Sequence, residues 1–471
     1  MNLNLLKLFL LTYILFCTNF NSYATIIVVP DDYATIQTAI NASVNGDTIV
    51  VSSGTYTENI NFRGKKIVVT SRFYDSGNLV YISNTIIDGS NPVFPDTASC
   101  VIFSSGEDST TILQGFTLTS GKGTKWNDIH GAGLYREGGG ILIELSSPTI
   151  QHNIITGNAA VNSTGLSGAG GGGIRIGDGN PKILNNIIMN NQGKYGPGIV
   201  LNYTGCVIKN NIIANNSGGN TFFGGGAIWS YSNLAGKQKI IENNTIVNNT
   251  TSTGTGGVLA WSTQLILRNN IIWGNSGAEL LQQDGGSFVT SYCDVDGGAG
   301  GIGNINAAPL LSENFYLANN SPCIDAGDSS ALYNDIEDSA NIGFALYPSR
   351  GTLRNDIGAY GGSGSSVLTG TIIGVNEREN IFPKKITLLQ NYPNPFNPQT
   401  TIGFSLLALS NVALKIYNVL GQEVATLINN ETIEAGTHEI QFDGSKFSSG
   451  VFYYELKVGN FAERKKMIVV K

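Results

Sequence analysis

The chain has 471 residues, which leaves room for two or three domains. Sixty glycines and only 13% charged residues argue against a helical protein, because helices draw on Ala, Leu, Glu and Lys. A formal net charge of −7 disfavours nucleic acid and anionic membranes as partners, since both need a basic face.

Residues 1–24 read as a secretory leader. Lys7 lies among apolar residues, Leu8 to Phe16 form an apolar core, and Ser22-Tyr23-Ala24 places small residues at the cleavage-reading positions. The apolar run is too short to span a bilayer. Four cysteines remain afterwards, Cys100, Cys206, Cys293 and Cys323. An oxidising compartment permits disulfides, and small buried thiols are the alternative.

Thr25 to Val29 is a β-branched strand. Pro30-Asp31-Asp32 then opens a helix, with Ile36, Ala39, Ile40 and Val44 at helical spacing. Short strands follow at coil-like intervals, at 48–51, 66–70, 84–87 and 101–103. The helix is expected to plug the open end of a strand stack, which would otherwise aggregate. A long excursion, Gly121 to Gly140, carries Trp126, His130, Arg136 and Glu137.

From Ile150 to Asn275 one pattern returns five times. Asn153-Ile154-Ile155-Thr156-Gly157-Asn158 is echoed at 186–191, 211–216, 244–249 and 270–275. Periods of this length imply stacked coils. A glycine run and a short strand precede each pair, for example Gly173-Ile174-Arg175-Ile176 and Ala227-Ile228-Trp229-Ser230. Each coil therefore reads strand, turn, strand, asparagine, strand, asparagine, with identical positions one strand spacing apart. Asn153, Asn186, Asn211, Asn244 and Asn270 are expected to form a structural ladder. They would turn the corner in the left-handed conformation and bond along the column.

This pattern, with Tyr33 to Ile40 and Gly54 to Asn59 before it, resembles the right-handed parallel β-helices of the pectate-lyase-like superfamily over residues 25–362. The fold implied is all-β, a right-handed parallel β-helix with an N-terminal capping helix, followed by a small C-terminal β-sandwich. Ser321-Pro322-Cys323-Ile324-Asp325 and Asn355-Asp356-Ile357-Gly358 resemble the closing segment of bacterial members. A linker is expected at 363–385. Six short alternating runs in 386–471 read as a β-sandwich. Tyr392-Pro393-Asn394-Pro395-Phe396-Asn397-Pro398, Leu414-Lys415-Ile416-Tyr417-Asn418-Val419-Leu420-Gly421 and the terminal Lys465 to Lys471 make this stretch similar to the type A sorting domain of the type IX (Por) secretion system. That resemblance implies partners in the type IX machinery and its sorting peptidase. It also implies release from the cell or display on the outer-membrane surface, after Sec export to the periplasm.

Enzyme motifs fail on inspection. Gly121-Lys122-Gly123-Thr124 lacks the upstream glycine of a phosphate loop. Gly54, Tyr56 and Glu58 match the first motif of pectin methylesterases, but the catalytic segments of that family are absent, as are those of polygalacturonases. The only histidines are His130, His152 and His438, which disfavours zinc and histidine triads. The sequence makes no cofactor certain, with Ca²⁺ as the candidate. Asp325, Asp328, Asp335, Asp338 and Asp356 could hold a structural Ca²⁺, or serve as turn residues.

Strand alternation puts Leu142, Arg175, Val200, Trp229 and Leu259 in one outward column, and Glu144, Gly177, Asn202, Tyr231 and Trp261 in the next. Trp229, Tyr231 and Trp261 then form an aromatic face suited to sugar rings, with Arg175, Glu144 and Asp178 as glycan-binding partners and Arg175 as a seat for a uronate carboxylate. The alternative is that residues 121–140 fold over these aromatics as a satellite core. The expected function is non-catalytic glycan binding or an adhesive, structural role, by a monomer. A polysaccharide lyase or glycoside hydrolase is the alternative.

Overall fold

The computed structural model describes residues 24–160, 166–219, 224–252, 254–368, 386–391, 393–406, 410–433, 436–459 and 461–470. The expected leader, apart from Ala24, and most of the expected linker lie outside these. The chain divides into two compact units, Met1–Ile373 and Gly374–Lys471.

The first unit is a parallel β-helix. Each coil contributes one strand to each of three parallel sheets, of eight, ten and nine strands, and each sheet is ordered as the coils follow in sequence. One coil supplies Ile141–Glu144, Thr149–Gln151 and Ile154–Thr156, and the next supplies Ile174–Gly177, Lys182–Leu184 and Ile187–Met189. The register is in step. Ile141, Ile174, Ile199, Ile228 and Val258 pair successively, as do Ile150, Ile183, Ile208, Ile241 and Leu267. All are fully buried in one core. Like stacks on like because strands without a register slip keep every apolar side chain inside. Each isoleucine so buried contributes roughly 1.5–3 kcal/mol relative to exposure.

The helix Ile36–Ala42 covers the first coil and buries Ile36, Ala39 and Ile40. It starts later than the Pro-Asp-Asp signal suggested. Thr35 caps it and accepts from Thr38 N, and the Glu58 carboxylate accepts from Ile36 N and Gln37 N, satisfying amides that no helical carbonyl can reach. Asp32 instead closes a turn by accepting from Val28 N, and Val44 lies beyond the helix, exposed.

The corner asparagines bond along the stack. Asn153, Asn186, Asn211 and Asn244 each donate from Nδ2 to Oδ1 of the next asparagine, at 3.0–3.2 Å. Each also donates to a carbonyl of the coil before. A second ladder, Asn158, Asn191, Asn216, Asn249 and Asn275, does the same and ends on the Glu279 carboxylate. The left-handed residue, however, is not the ladder asparagine. It is the residue before it: His152, Asn185, Asn210, Asn243 and Asn269 have φ between 50° and 56°. The two demands on the corner conflict. A left-handed residue points its side chain away from the stack, whereas the ladder amide must point in. Two consecutive residues therefore divide the work.

The outward asparagines have a task of their own. A strap, residues 355–368, runs back along the β-helix and covers the nine-stranded sheet. Asn243 donates to Asn355 Oδ1, Asp356 O and Gly358 O. Asn210 donates to Ala359 O and Gly361 O, Asn185 to Gly364 O, and His152 Nε2 meets Ser366 Oγ at 3.1 Å. Ile357, Ala359, Tyr360 and Leu368 bury the outer faces of Ile187, Ile212 and Ile271 beneath them. Residues 363–368, expected to open the linker, thus belong to the β-helix. All four cysteines of the described residues are free and buried. Burial pushes the Cys100 and Cys206 thiols up to about 12.

The second unit is an antiparallel sandwich. Thr387–Leu388, Gln399–Leu406 and Gly436–Asp443 form one sheet; Glu423–Ile433, Ser410–Tyr417, Gly450–Val458 and Phe461–Val469 form the other. Phe404, Leu414, Ile416, Tyr454 and Leu456 fill its core.

Candidate functional site

The outer side of the eight-stranded sheet carries the chemistry. Leu142, Arg175, Val200, Trp229, Leu259 and Leu281 are register partners there, and so are Glu144, Gly177, Asn202, Tyr231, Trp261 and Gln283. Six successive strands of this sheet, from Ile141–Glu144 to Leu280–Gln283, carry a left-handed residue at or next to their C-terminal end: Leu145, Asp178, Tyr203, Ser232, Ser262 and Asp284.

Gly123–Asn127 and Leu134–Glu137 form an antiparallel hairpin from the 121–140 excursion, which packs over the first half of this face. It brings Trp126 flat over Arg175, with the guanidinium carbon 3.8 Å from the ring centre. Glu137 becomes the hub of a buried network. Its Oε2 accepts from Trp126 Nε1 at 2.8 Å and from Arg175 Nε at 3.1 Å, and its Oε1 accepts from the Tyr195 hydroxyl. The other edge of the guanidinium meets Glu144 and donates to Ile143 O. Gly177 leaves the space the guanidinium fills, because a Cβ there would collide with it.

Arg175 is thus on the outer side of its strand, as the alternation requires, but 0% exposed. It cannot meet a uronate, since its charge is committed to Glu137 and Glu144. Burial lowers its affinity for the proton, opposed chiefly by Glu137, and burial pushes the Tyr195 phenol well up. Removing one partner from such a dry group typically costs about 3–5 kcal/mol, so the network fixes the hairpin in place.

Trp229 is 5% exposed, packed with Tyr195, Val200 and Leu259. It belongs to the satellite core weighed as the alternative. Tyr231 and Trp261 flank this cluster half-buried, their rings 6.0 Å apart and edge to face. Tyr203 joins them at 5.5 Å from Tyr231. His130, at the hairpin tip, stacks on Tyr203 at 3.6 Å and bonds through Nε2 to Asp178 Oδ1 at 2.9 Å. Trp261 Nε1 donates to Asp284. The strip still reached from solvent is therefore Tyr203, Tyr231 and Trp261, rimmed by His130, Asp178 and Asp284. Tyr203 escaped the sequence reading because alternation fails at it: it lies within the strand Ile199–Thr204 but has a left-handed backbone, φ 45°, that breaks the in–out pattern. His130 came from the excursion, which has no repeat to place it.

The five aspartates of the cap are turned onto the main chain. Asp325 accepts from Thr352 N, Asp328 from Ser330 N, Asp338 from Ala340 N, Asp335 from Asp356 N, and Asp356 from Asp325 N and Arg350 N. Among the described residues no group of three or more His, Cys, Asp or Glu side chains is placed to hold a metal ion. Asp328 and Asp338 make the local contacts of turn residues, whereas Asp325, Asp335 and Asp356 tie together separate segments of the cap.

Residues 390–470 match the secretion system C-terminal sorting domain family. The tail is a type IX secretion sorting domain, which directs export to the cell surface or beyond. No curated protein matches the chain. Among solved structures it is similar to a pectin methylesterase in complex with a hexasaccharide, at 10% identity and TM-score 0.31, over 64% of this chain and 98% of that one. It is also similar to the PL6 family alginate lyase AlyGC, at 13% identity and TM-score 0.25, over 64% and 56%.

Proposed function

We propose that the protein is an exported β-helix that binds a polysaccharide at Tyr203, Tyr231 and Trp261 without turning it over. Its leader directs the first step, through Sec to the periplasm, and its sorting domain engages the type IX machinery and its peptidase. The observation that carries the reading is the strip itself. Three half-buried rings from three successive coils sit on one rigid sheet, with carboxylates at their edges. Sugar rings offer apolar C–H faces to aromatics and hydroxyls to carboxylates, and a rigid strip loses little entropy on binding. The commitment of Arg175 favours binding over elimination chemistry, because the arginine within the sheet face is spent on structure.

The second reading, a polysaccharide lyase or hydrolase, is favoured by one feature. His130 is oriented by Asp178 beside the strip, an arrangement suited to a general base. Incubating the full-length protein with acidic and neutral polysaccharides, and following reducing ends and unsaturated products, separates the two. The binding reading expects retention on a polysaccharide, lost in Trp261→Ala, with no product. Turnover abolished by His130→Ala would overturn it in favour of the second.

A further inference from the structure

We infer that the sugar chain taken by this strip carries no anionic groups and is uncharged or amine-bearing; this rests on the strip being the binding site proposed above. Three buried polar atoms beside it lack a partner and are acceptors; an unpartnered donor of the same face, Arg175 Nη2, is sealed from ligand beneath Trp126. Asn202 Oδ1 and Gln283 Oε1, in the register column of Tyr231 and Trp261, are buried oxygens with no hydrogen-bond partner. Asp178 Oδ2 is a third, on a side chain only 8% exposed whose other oxygen holds His130. Asp284 stands at the corresponding strand end beside Trp261.

Two basic side chains beside the strip are already engaged. Arg175 lies under Trp126 between two carboxylates, and His130 is held by Asp178. A buried acceptor left without a donor is costly, so a ligand gains most by bringing hydroxyl or ammonium hydrogens. A uronate or sulfate would instead set negative charge against Asp178 and Asp284, where nothing remains to neutralise it. Rejection by unmatched charge discriminates between glycans that the aromatic rings alone would accept equally.

The test is calorimetric titration of the full-length protein at about 0.15 M salt, where long-range attraction is screened. The probes are a cello-oligosaccharide, a chitosan oligosaccharide and an oligogalacturonate of equal length. The expected result is that the neutral or the amine-bearing oligomer binds at least about tenfold more tightly than the oligogalacturonate. Trp261→Ala should remove that binding, and Asp178→Asn should narrow the discrimination. Tyr203→Ala replaces Trp261→Ala if the latter lowers the melting temperature. Oligogalacturonate binding as tightly as the others, and lost in Trp261→Ala, would overturn the charge inference and leave the strip standing. Binding indifferent to both aromatic variants, or no binding by any probe, would overturn the strip and the inference with it.

Discussion

Asn186 and Asn211 are joined twice across neighbouring coils: Asn186 donates to Asn211 Oδ1 from its main-chain N at 2.9 Å and from Nδ2 at 3.0 Å. The acceptor is itself a donor to Ile183 O, Lys209 O and Asn244 Oδ1. Asn211→Ala removes bonds that reach three coils at once and leaves the buried Asn186 N without its acceptor. A loss of about 3–5 kcal/mol is expected, read as a fall in the denaturant midpoint.

Its neighbour in kind behaves differently. Asn190 is exposed, with φ 56°, and its role is conformational. Asn190→Gly should be close to neutral and Asn190→Ala should cost about 1 kcal/mol, because only a side chain with a Cβ strains that backbone. Asn191→Gly, one residue on, should cost several times as much. Equal effects at 190 and 191 would contradict the division of labour at the corner.

That division marks where sequence reasoning stops. The five asparagine pairs and the isoleucine columns are legible because they repeat, and repetition places residues relative to one another; the sandwich at the end is legible from its alternating runs and its resemblance to a known domain. The strap was not. Asn243 and Asn355 touch across 112 residues with no period between them. Alternation puts Arg175 on the outer side of its strand, yet its burial depends on Trp126, which comes from a unique insertion. Periodicity shows which way a side chain points. What covers it depends on the parts that do not repeat.

The buried network beneath Trp126 gives a third prediction. Arg175→Met leaves Glu137 and Glu144 without their cation, and should cost about 3–5 kcal/mol. Adding Glu137→Gln to Arg175→Met should recover part of that loss, since one stranded charge disappears. A double-mutant cycle measures the coupling. Strictly additive effects would show that the pair does not act as a unit.

The strap should respond to pH. Burial, helped by the neighbouring Asp356, pushes the Asp335 carboxyl up to about 8, and burial pushes Asp356 up to about 7. Both folded values lie above the ordinary 3.8. Their contribution to stability is therefore complete below that value and is lost as pH rises through 7 and 8. Amide exchange in residues 355–362 should accelerate over that window, and Asp335→Asn should flatten the dependence. Local exchange is the proper readout, because Lys239, pushed down to about 7 by burial, contributes the opposite sign to global stability between 7 and 10.5.

Hydrogen exchange with and without a bound polysaccharide tests the central claim most directly. Saturating ligand should slow exchange at residues 200–204, 228–233 and 258–262, the strands and strand ends that carry Tyr203, Tyr231 and Trp261, and should leave the strap at 355–368 unchanged. Protection confined to the strap side, or to the sorting domain, would contradict the account.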